Sequence, residues 1–535
     1  MKMVFSCDKS GVKLKDYIIA KGIEMDFPCG GEGRCKKCRV RFINGAPKPT
    51  NADEQAFSQK ELDEGFRLAC KAQINKPCKV EIITSQELSE DERTINSTGT
   101  IYDETAESAH FKGYAVSIDL GTTTIAAALL GAGNDGASGS YKEIVKKTIL
   151  NGQKKYGADV ISRIKEASDG KEKQLRRIVL SDLFDLIVSL VLPLDKKISE
   201  LSYIVIAGNT TMMHLLLGDS CKGLGSAPYS PVRLSYDEMD LRDVFSDSFI
   251  PEHDEKLFEE LLSVPCKLFP GISAFVGGDI VAGMYALSFD KIADDKKIML
   301  IDLGTNGEMA LADKNGIKVC STAAGPVFEG GEISCGMAGV KGAIEHVYIN
   351  EGSTVEYSVI GGEDEEGIGM CGSGVLEIVS ELRRNRLIDE TGLLTDEYFD
   401  DGFEVGKIRF TQNDIRQVQL AKAAIRSGIE VLLKEMGISA KDVDKVYLAG
   451  GFSMHISPEK LSFLSIFPKE FLRDGVIECV GNSSLLGCEK YMMAKALREI
   501  PDERIKNITG KSCEIELASA DQFNDFYIEA MNFDI

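Results

Sequence analysis

Apolar and polar positions change their period along this chain in a regular way. Near the start, Val4-Phe5-Ser6 reads as a short strand and Leu14 to Gly22 as a short helix. Cys38-Arg-Val-Arg-Phe-Ile43 alternates with period two, the mark of a half-buried strand, and Asn44-Gly45 is a turn signal. Lys79-Val-Glu-Ile-Ile83 closes this first unit, predicted as an α+β domain over 1–84. Residues 85–113 are polar, acidic and poor in long apolar runs, which predicts a linker. From Tyr114 onward apolar strands alternate with amphipathic helices, the pattern of an α/β fold. No run of about 18 uninterrupted apolar residues occurs, so no membrane span is expected.

Two glycine-rich segments of the α/β part resemble each other. One is Ala-Val-Ser-Ile-Asp119-Leu-Gly121-Thr122-Thr123-Thr124; the other is Ile-Met-Leu-Ile-Asp302-Leu-Gly304-Thr305-Asn306-Gly307-Glu308. Each is an apolar strand ending in Asp-Leu-Gly-Thr with a second strand behind it. The repetition predicts two homologous halves, 114–272 and 273–535, around one cleft. A turn of this kind suits phosphate. Gly121 and Gly304 let backbone N–H groups approach phosphate oxygens, and Thr122, Thr123, Thr124, Thr305 and Asn306 add side-chain hydrogen bonds. Asp119 and Asp302, at the strand ends, suit Mg²⁺ or its waters. Glu308 is a candidate for positioning water, with a structural role equally open.

A third element, Val-Tyr-Leu-Ala-Gly450-Gly451-Phe452, runs a strand into a Gly-Gly turn that suits an adenine or ribose face. Three other segments are expected to line the same cleft: Asn209 and Thr210 after a strand, Gly372-Ser373-Gly374 at the start of an apparent helix, and Gly481-Asn482-Ser483-Ser484. Each is also readable as a helix cap. There is no G-x-x-x-x-G-K-[ST] loop, so phosphate is not held in that manner.

Composition narrows the classes. The 535 residues are 43% apolar and 27% charged, ordinary values for a chain with several buried cores. The formal charge of −22 disfavours nucleic acid and anionic lipid, and only short basic stretches such as Arg34–Arg41 oppose it. The first residues do not form a secretory signal, so a cytoplasmic protein is expected. There are 14 cysteines. Cys29, Cys35, Cys38 and Cys70 follow C-x5-C-x2-C-x31-C, with Gly30, Gly31 and Gly33 between the first two. One loop supplying three thiolates and a distant segment supplying the fourth suits a [2Fe–2S] cluster. Zinc ribbons instead present two close pairs. Cys7 and Cys78 read as structural.

The C-x5-C spacing resembles the adrenodoxin-like variant of the ferredoxin fold, a β-grasp domain. The paired Asp-Leu-Gly-Thr turns and the Gly-Gly strand end resemble the acetate kinase, sugar kinase, heat-shock chaperone and actin superfamily. The fusion of the two resembles the ATP-dependent reductive activators of corrinoid proteins. That resemblance runs over essentially the whole chain and includes Gly157-Ala-Asp-Val-Ile-Ser-Arg-Ile164, Ala-Gly-Asn-Thr-Thr-Met212 and Ala-Gly-Pro-Val-Phe-Glu-Gly-Gly331. It implies a ferredoxin domain, a linker, two ribonuclease-H-like halves and a homodimer. It also implies a [2Fe–2S] cluster, ATP and Mg²⁺ as cofactors. The implied activity is one-electron reduction of Co(II) to Co(I) on a corrinoid partner, with an external low-potential electron donor. Under it Gly450, Gly451 and Phe452 would meet adenosine, and the loop Gly330 to Met337 is a candidate for the corrinoid partner, through Ser334 or Met337 or by packing alone. The tether 85–113 would let the cluster visit a cobalt centre. Related activators with [4Fe–4S] clusters in a C-terminal domain differ, because Cys479, Cys488 and Cys513 are too dispersed here. Other readings are an activator of another redox enzyme, a redox-sensing nucleotide-binding regulator, and a sugar or acetate kinase with an accessory domain.

Overall fold

A computed structural model describes the chain except residues 1–3, 8, 22, 24, 26, 28–30, 32, 34–35, 83–93, 96–112, 133–140, 195–196, 246–248, 252, 351–353, 363–364, 451–452, 454–456, 498 and 534–535. The first unit is a four-stranded sheet in the order Val4–Cys7, Cys78–Ile82, Arg39–Asn44 and Phe66–Leu68, each neighbouring pair antiparallel. Val40 and Phe42 point inward from the alternating strand, and helix Leu14–Ala20 adds Leu14 and Ile18 to the same small core. Cys7 and Cys78 stand opposite each other across the first strand pair, both buried in that core.

The expected duplication is present. In the seven-stranded sheet, Tyr114–Leu120 pairs antiparallel with Thr124–Ala132 and parallel with Leu201–Gly208. In the six-stranded sheet, Ile298–Leu303 pairs antiparallel with Gly307–Ala312 and parallel with Lys445–Ala449. In both sheets a third antiparallel strand follows, Tyr141–Leu150 in one and Ile317–Thr322 in the other. A long helix covers each sheet: Glu172–Val191 buries Leu175, Leu183 and Ile187, and Gln412–Glu435 buries Ile415, Ala421 and Ile429. Most of the predicted linker lies outside the described residues. Its Thr94–Ile95 segment is an edge strand paired with Tyr141–Leu150.

Two helices join the halves. Gly278–Ala286, which follows strand Pro265–Leu268 of the seven-stranded sheet, and Ser483–Ala496, which follows strand Ile477–Gly481 of the six-stranded sheet, cross closely over a shared core. The crossing depends on glycine: a Cβ on Gly487 would stand 2.1 Å from the Ala282 carbonyl oxygen, and one on Gly283 would stand 2.7 Å from Ser483 Oγ. The second half also carries an inserted sheet of Ala343–Ile349, Val355–Val359 and Gly369–Met370. No helix among the described residues is long and apolar enough to cross a membrane.

Lys422 anchors the end of the chain. Its side chain is fully buried in helix Gln412–Glu435, and Nζ donates to the Ala530 and Asn532 carbonyls at 2.5 and 2.6 Å. Burial, with Arg426 nearby, lowers its pKa to about 7. Between about pH 7 and 10 the unfolded chain therefore binds a proton that the folded chain does not, and stability rises with pH across that window. Urea midpoints measured at intervals from pH 7 to 9 should climb more steeply for the native chain than for Lys422→Met. Parallel slopes would refute the neutral lysine.

Candidate active site

Each Asp-Leu-Gly-Thr turn ends a central strand, and the two turns meet. Thr123 Oγ1 and Thr305 Oγ1 are 3.1 Å apart. Glu329, on the short turn Pro326–Glu329, accepts from Thr123 Oγ1 at 2.9 Å. Asn209 Nδ2 donates to Thr122 Oγ1 at 2.9 Å, while Asn209 Oδ1 caps helix Thr210–Leu217 by accepting from Met212 N. Thr210 is turned away to structure, its Oγ1 donating to the Ser273 carbonyl. Gly121 is required by contact, since a Cβ there would stand 2.6 Å from the Thr124 carbonyl oxygen. Gly304 differs: a Cβ there would meet nothing closer than 3.9 Å. Its N–H donates to the Asn306 carbonyl and closes the second turn.

The aspartates are held across the halves. Asn482 Nδ2 donates to Asp119 Oδ2 at 2.8 Å, and Ser484 Oγ donates to Asp119 Oδ1 at 2.7 Å. Asp302 lies directly opposite Glu308 in the antiparallel register, so their side chains share one face. Asp279, at the start of helix Gly278–Ala286, joins them. It follows Gly277-Gly278, where a Cβ on Gly277 would stand 2.5 Å from Asn209 Cα.

Crowding shapes the electrostatics. Burial, together with the neighbouring Asp279 and Asp119, pushes the Asp302 carboxyl up to about 8. Burial and the Asp119 charge bring Asp279 up to about 7. Burial, then Asp279 and Asp302, holds Glu308 well above the ordinary carboxylate range. Burial raises Asp119 and Glu329 too, partly offset by the hydroxyls and amide that donate to them. Such a set of hard oxygen donors favours a cation. No three His, Cys, Asp or Glu among the described residues stand in direct ligand geometry. Buried carboxylate oxygens beside turns of this kind fit Mg²⁺, an ion that commonly keeps several waters and takes phosphate oxygens.

Other predicted residues fall differently. Gly450 has φ +98° and abuts the second turn: its Cβ would stand 2.2 Å from the Leu303 carbonyl and 3.2 Å from Asp302 Oδ1. Gly451 and Phe452 lie outside the described residues. Gly372 and Gly374 serve close packing, since Cβ atoms there would stand 1.7 Å from the Phe328 carbonyl oxygen and 2.3 Å from that of Ile344. Ser373 is buried between them, 3.2 Å from Cys371 Sγ. Ser334 is engaged with Asp414, to which its N–H and Oγ donate at 2.6 and 2.7 Å.

Sequence reasoning passed over Asp279, and took Glu329 and Arg163 only as letters in longer segments. Arg163 is fully buried on helix Val160–Glu166. Its Nη2 donates to the Thr122 carbonyl at 2.5 Å and its Nε to the Gly157 carbonyl at 3.0 Å, so it buttresses the first turn from behind.

In the first unit, Cys29 and Cys35 lie outside the described residues. Cys38 and Cys70 are buried, at 1% and 7% exposure, and Ala69 N donates to the Cys38 carbonyl at 2.8 Å, setting the two cysteine segments side by side. Gly31 and Gly33 take φ +96° and +84°, the left-handed region that glycine enters without strain. Two thiols on adjoining segments beside a left-handed glycine loop fit a [2Fe–2S] group. Protein prepared anaerobically should be brown-red with about two irons per chain, and Cys38→Ser or Cys70→Ser should lose most of that colour. Iron-free protein after reconstitution would refute the site.

Comparison with known proteins agrees with this construction. The model of the 2Fe-2S iron-sulfur cluster binding domain matches residues 2–75, the RACo middle region matches 114–292, and the C-terminal ASKHA domain of RACo matches 296–535. The fold and site therefore define an ASKHA-type ATPase carrying a ferredoxin domain, with a [2Fe–2S] cluster, ATP and Mg²⁺ as cofactors. The chain belongs to the family of reductive activators of corrinoid proteins. It is 28% identical to the corrinoid activation enzyme RamQ of Eubacterium limosum over 96% of this chain and 95% of that one. It is 25% identical to the Co(II) methylated amine-specific corrinoid protein reductase of Methanosarcina barkeri, over 78% of this chain and 77% of the other. A solved reductive activator for a corrinoid, iron-sulfur protein has the same fold, with a TM-score of 0.66 over 98% of this chain and 96% of its own, at 24% identity.

Proposed function

We propose that this protein reduces the Co(II) form of a corrinoid partner to Co(I), one electron at a time, in a step driven by ATP. The observation that carries the reading is the meeting of the two duplicated turns at Thr123 and Thr305, 3.1 Å apart, in a chain that also bears a ferredoxin unit. With its cluster bound, the ferredoxin unit supplies single electrons. The balance is one electron lost by the reduced cluster and one gained by cobalt, while ATP and water become ADP and phosphate.

The chain's own residues divide the work. Asp119 and Asp302 hold Mg²⁺ and its waters, and Glu308 orients the attacking water. Gly121, Thr122, Thr123, Gly304, Thr305 and Asn306 bind phosphate oxygens, and the Gly450 turn faces the adenosine side. Closure of the halves about the crossing of Gly278–Ala286 with Ser483–Ala496 lets ATP favour one conformation over another. The electron enters from an external low-potential donor, the protein works as a homodimer, and the cytoplasm is its place, since thiols stay reduced there.

The test is direct. Protein, MgATP, Ti(III) citrate and a Co(II) corrinoid protein are mixed without oxygen, and the Co(I) absorption band is followed. Growth of the band only with ATP supports the reading. Phosphorylation of a small molecule with no corrinoid present would make the protein a kinase instead.

A further inference from the structure

The ferredoxin unit touches both halves of the ATPase. Toward the first half, Lys15 Nζ pairs with Glu166 Oε1, and the two side chains are only 8% and 16% exposed. Beside this pair Asp16 faces Lys171 at 4.0 Å, and Ile19 packs against the core of the first half. Toward the second half, Lys37 Nζ donates to the Gly336 carbonyl at 3.2 Å. Lys37 is the neighbour of the ligand Cys38.

Lys15 also reaches the cluster loop. A Cβ on Gly31, between Cys29 and Cys35 in sequence, would stand 3.1 Å from Lys15 Nζ. On the other side of the pair, Glu166 is the last residue of helix Val160–Glu166. One turn earlier on that helix is Arg163, whose guanidinium donates to the Thr122 carbonyl. The path from the cluster loop to the first phosphate turn therefore runs through the Lys15–Glu166 pair, the backbone of helix Val160–Glu166 and the Arg163 hydrogen bond to Thr122.

We propose that the Lys15–Glu166 ion pair couples the nucleotide site to the seating of the ferredoxin unit, so that each favours the other. This rests on the nucleotide reading of the Thr122–Thr123 turn. An ion pair largely closed to water holds only while both partners are in place, because either charge alone in that position is costly. Seating the ferredoxin unit thus fixes the end of helix Val160–Glu166. A fixed helix keeps Arg163 on the Thr122 carbonyl and the turn ready for phosphate. The two-state element is the ferredoxin unit itself, seated or released. Linkage then requires reciprocity: whatever factor seating adds to nucleotide affinity, nucleotide adds to seating.

The experiment uses the full-length, cluster-loaded protein and the Mg²⁺ complex of a non-hydrolysable ATP analogue. Binding is measured by calorimetry for the native chain, Lys15→Met, Glu166→Gln, the double variant with both changes, and the charge-exchanged Lys15→Glu/Glu166→Lys. Each single variant should bind the analogue at least about fivefold more weakly. The double variant should be no worse than either single one, and the exchanged pair should recover most of the loss. In the native chain the analogue should alter the EPR signal of the reduced cluster, and in Lys15→Met it should leave that signal unchanged. Native affinity in Glu166→Gln, or losses that simply add in the double variant, would overturn the coupling. A native chain that binds no analogue would overturn the nucleotide reading, and the coupling with it.

Discussion

Asp302→Ala is expected to abolish ATP-dependent formation of Co(I) while leaving the visible spectrum of the cluster unchanged. Asp302 lies one residue from the end of strand Ile298–Leu303, opposite Glu308, and burial, with Asp279 and Asp119 close by, raises its carboxyl to about 8. In water an aspartate at this pKa is largely protonated at neutral pH, and a divalent cation is what would ionise it. Alanine removes that ligand, and its loss should lower the ATP-driven rate by about 10²-fold or more. The cluster unit has its own core around Val40, Phe42 and Val80, separate from this site, so its spectrum is independent of the change. Asp302→Asn should fail in the same way, because an amide keeps the shape and loses the charge. Native reduction rates in either variant would remove Asp302 from the phosphate site.

The second large effect is on stability. Arg163→Met should lower the urea midpoint of the transition that includes helix Glu172–Val191, by an amount equivalent to about 3 kcal/mol. Arg163 Nη1 also reaches Gln153 Oε1 at 3.2 Å, so three carbonyl oxygens lose their donor together. Burial lowers the pKa of this guanidinium to about 9, still charged at neutral pH, with Asp159 and Asp182 near. Methionine fills most of the volume and supplies none of the hydrogen bonds. The same variant should bind MgATP more weakly, since the Thr122 carbonyl is no longer held. An unchanged midpoint and affinity would show that the turn needs no support from behind.

What the sequence disclosed was local. The Asp-Leu-Gly-Thr turns are contiguous, so each strand and its turn were legible together, and their repetition pointed to the duplicated sheets. The ferredoxin unit was legible because cluster ligation constrains cysteine spacing; of the four proposed ligands the described residues hold Cys38 and Cys70, on adjoining segments. Residues that reach the site through tertiary contact were not. Asp279 opens a helix, and only the packing of Gly277 on Asn209 brings it to Asp302. Arg163 on an amphipathic helix looks like any surface arginine until the fold buries it. Gly372 and Gly374 carry a demand the sequence did not show: at the opening of helix Gly372–Arg384 they sit where a Cβ would strike the Phe328 and Ile344 carbonyls, a packing need that only the fold reveals. The inserted sheet of Ala343–Ile349 and its partners was also not foreseen, because short strands in a polar stretch carry little periodicity.

The grip of Asn482 and Ser484 on Asp119 runs from the helix behind the six-stranded sheet to the turn of the seven-stranded one, and Asp279, on the helix behind the seven-stranded sheet, stands beside Asp302 in return. Such an exchange has the symmetry of two identical chains trading residues across a two-fold axis. Once the copies share a single chain, the traded residues no longer need to match, and here they do not: a carboxylate goes one way, an amide and a hydroxyl the other. The two turns, alike in sequence, are therefore chemically unequal. One aspartate is held by neutral donors, the other is pressed by a second acid, and the cleft offers two unlike ends to whatever lies between them.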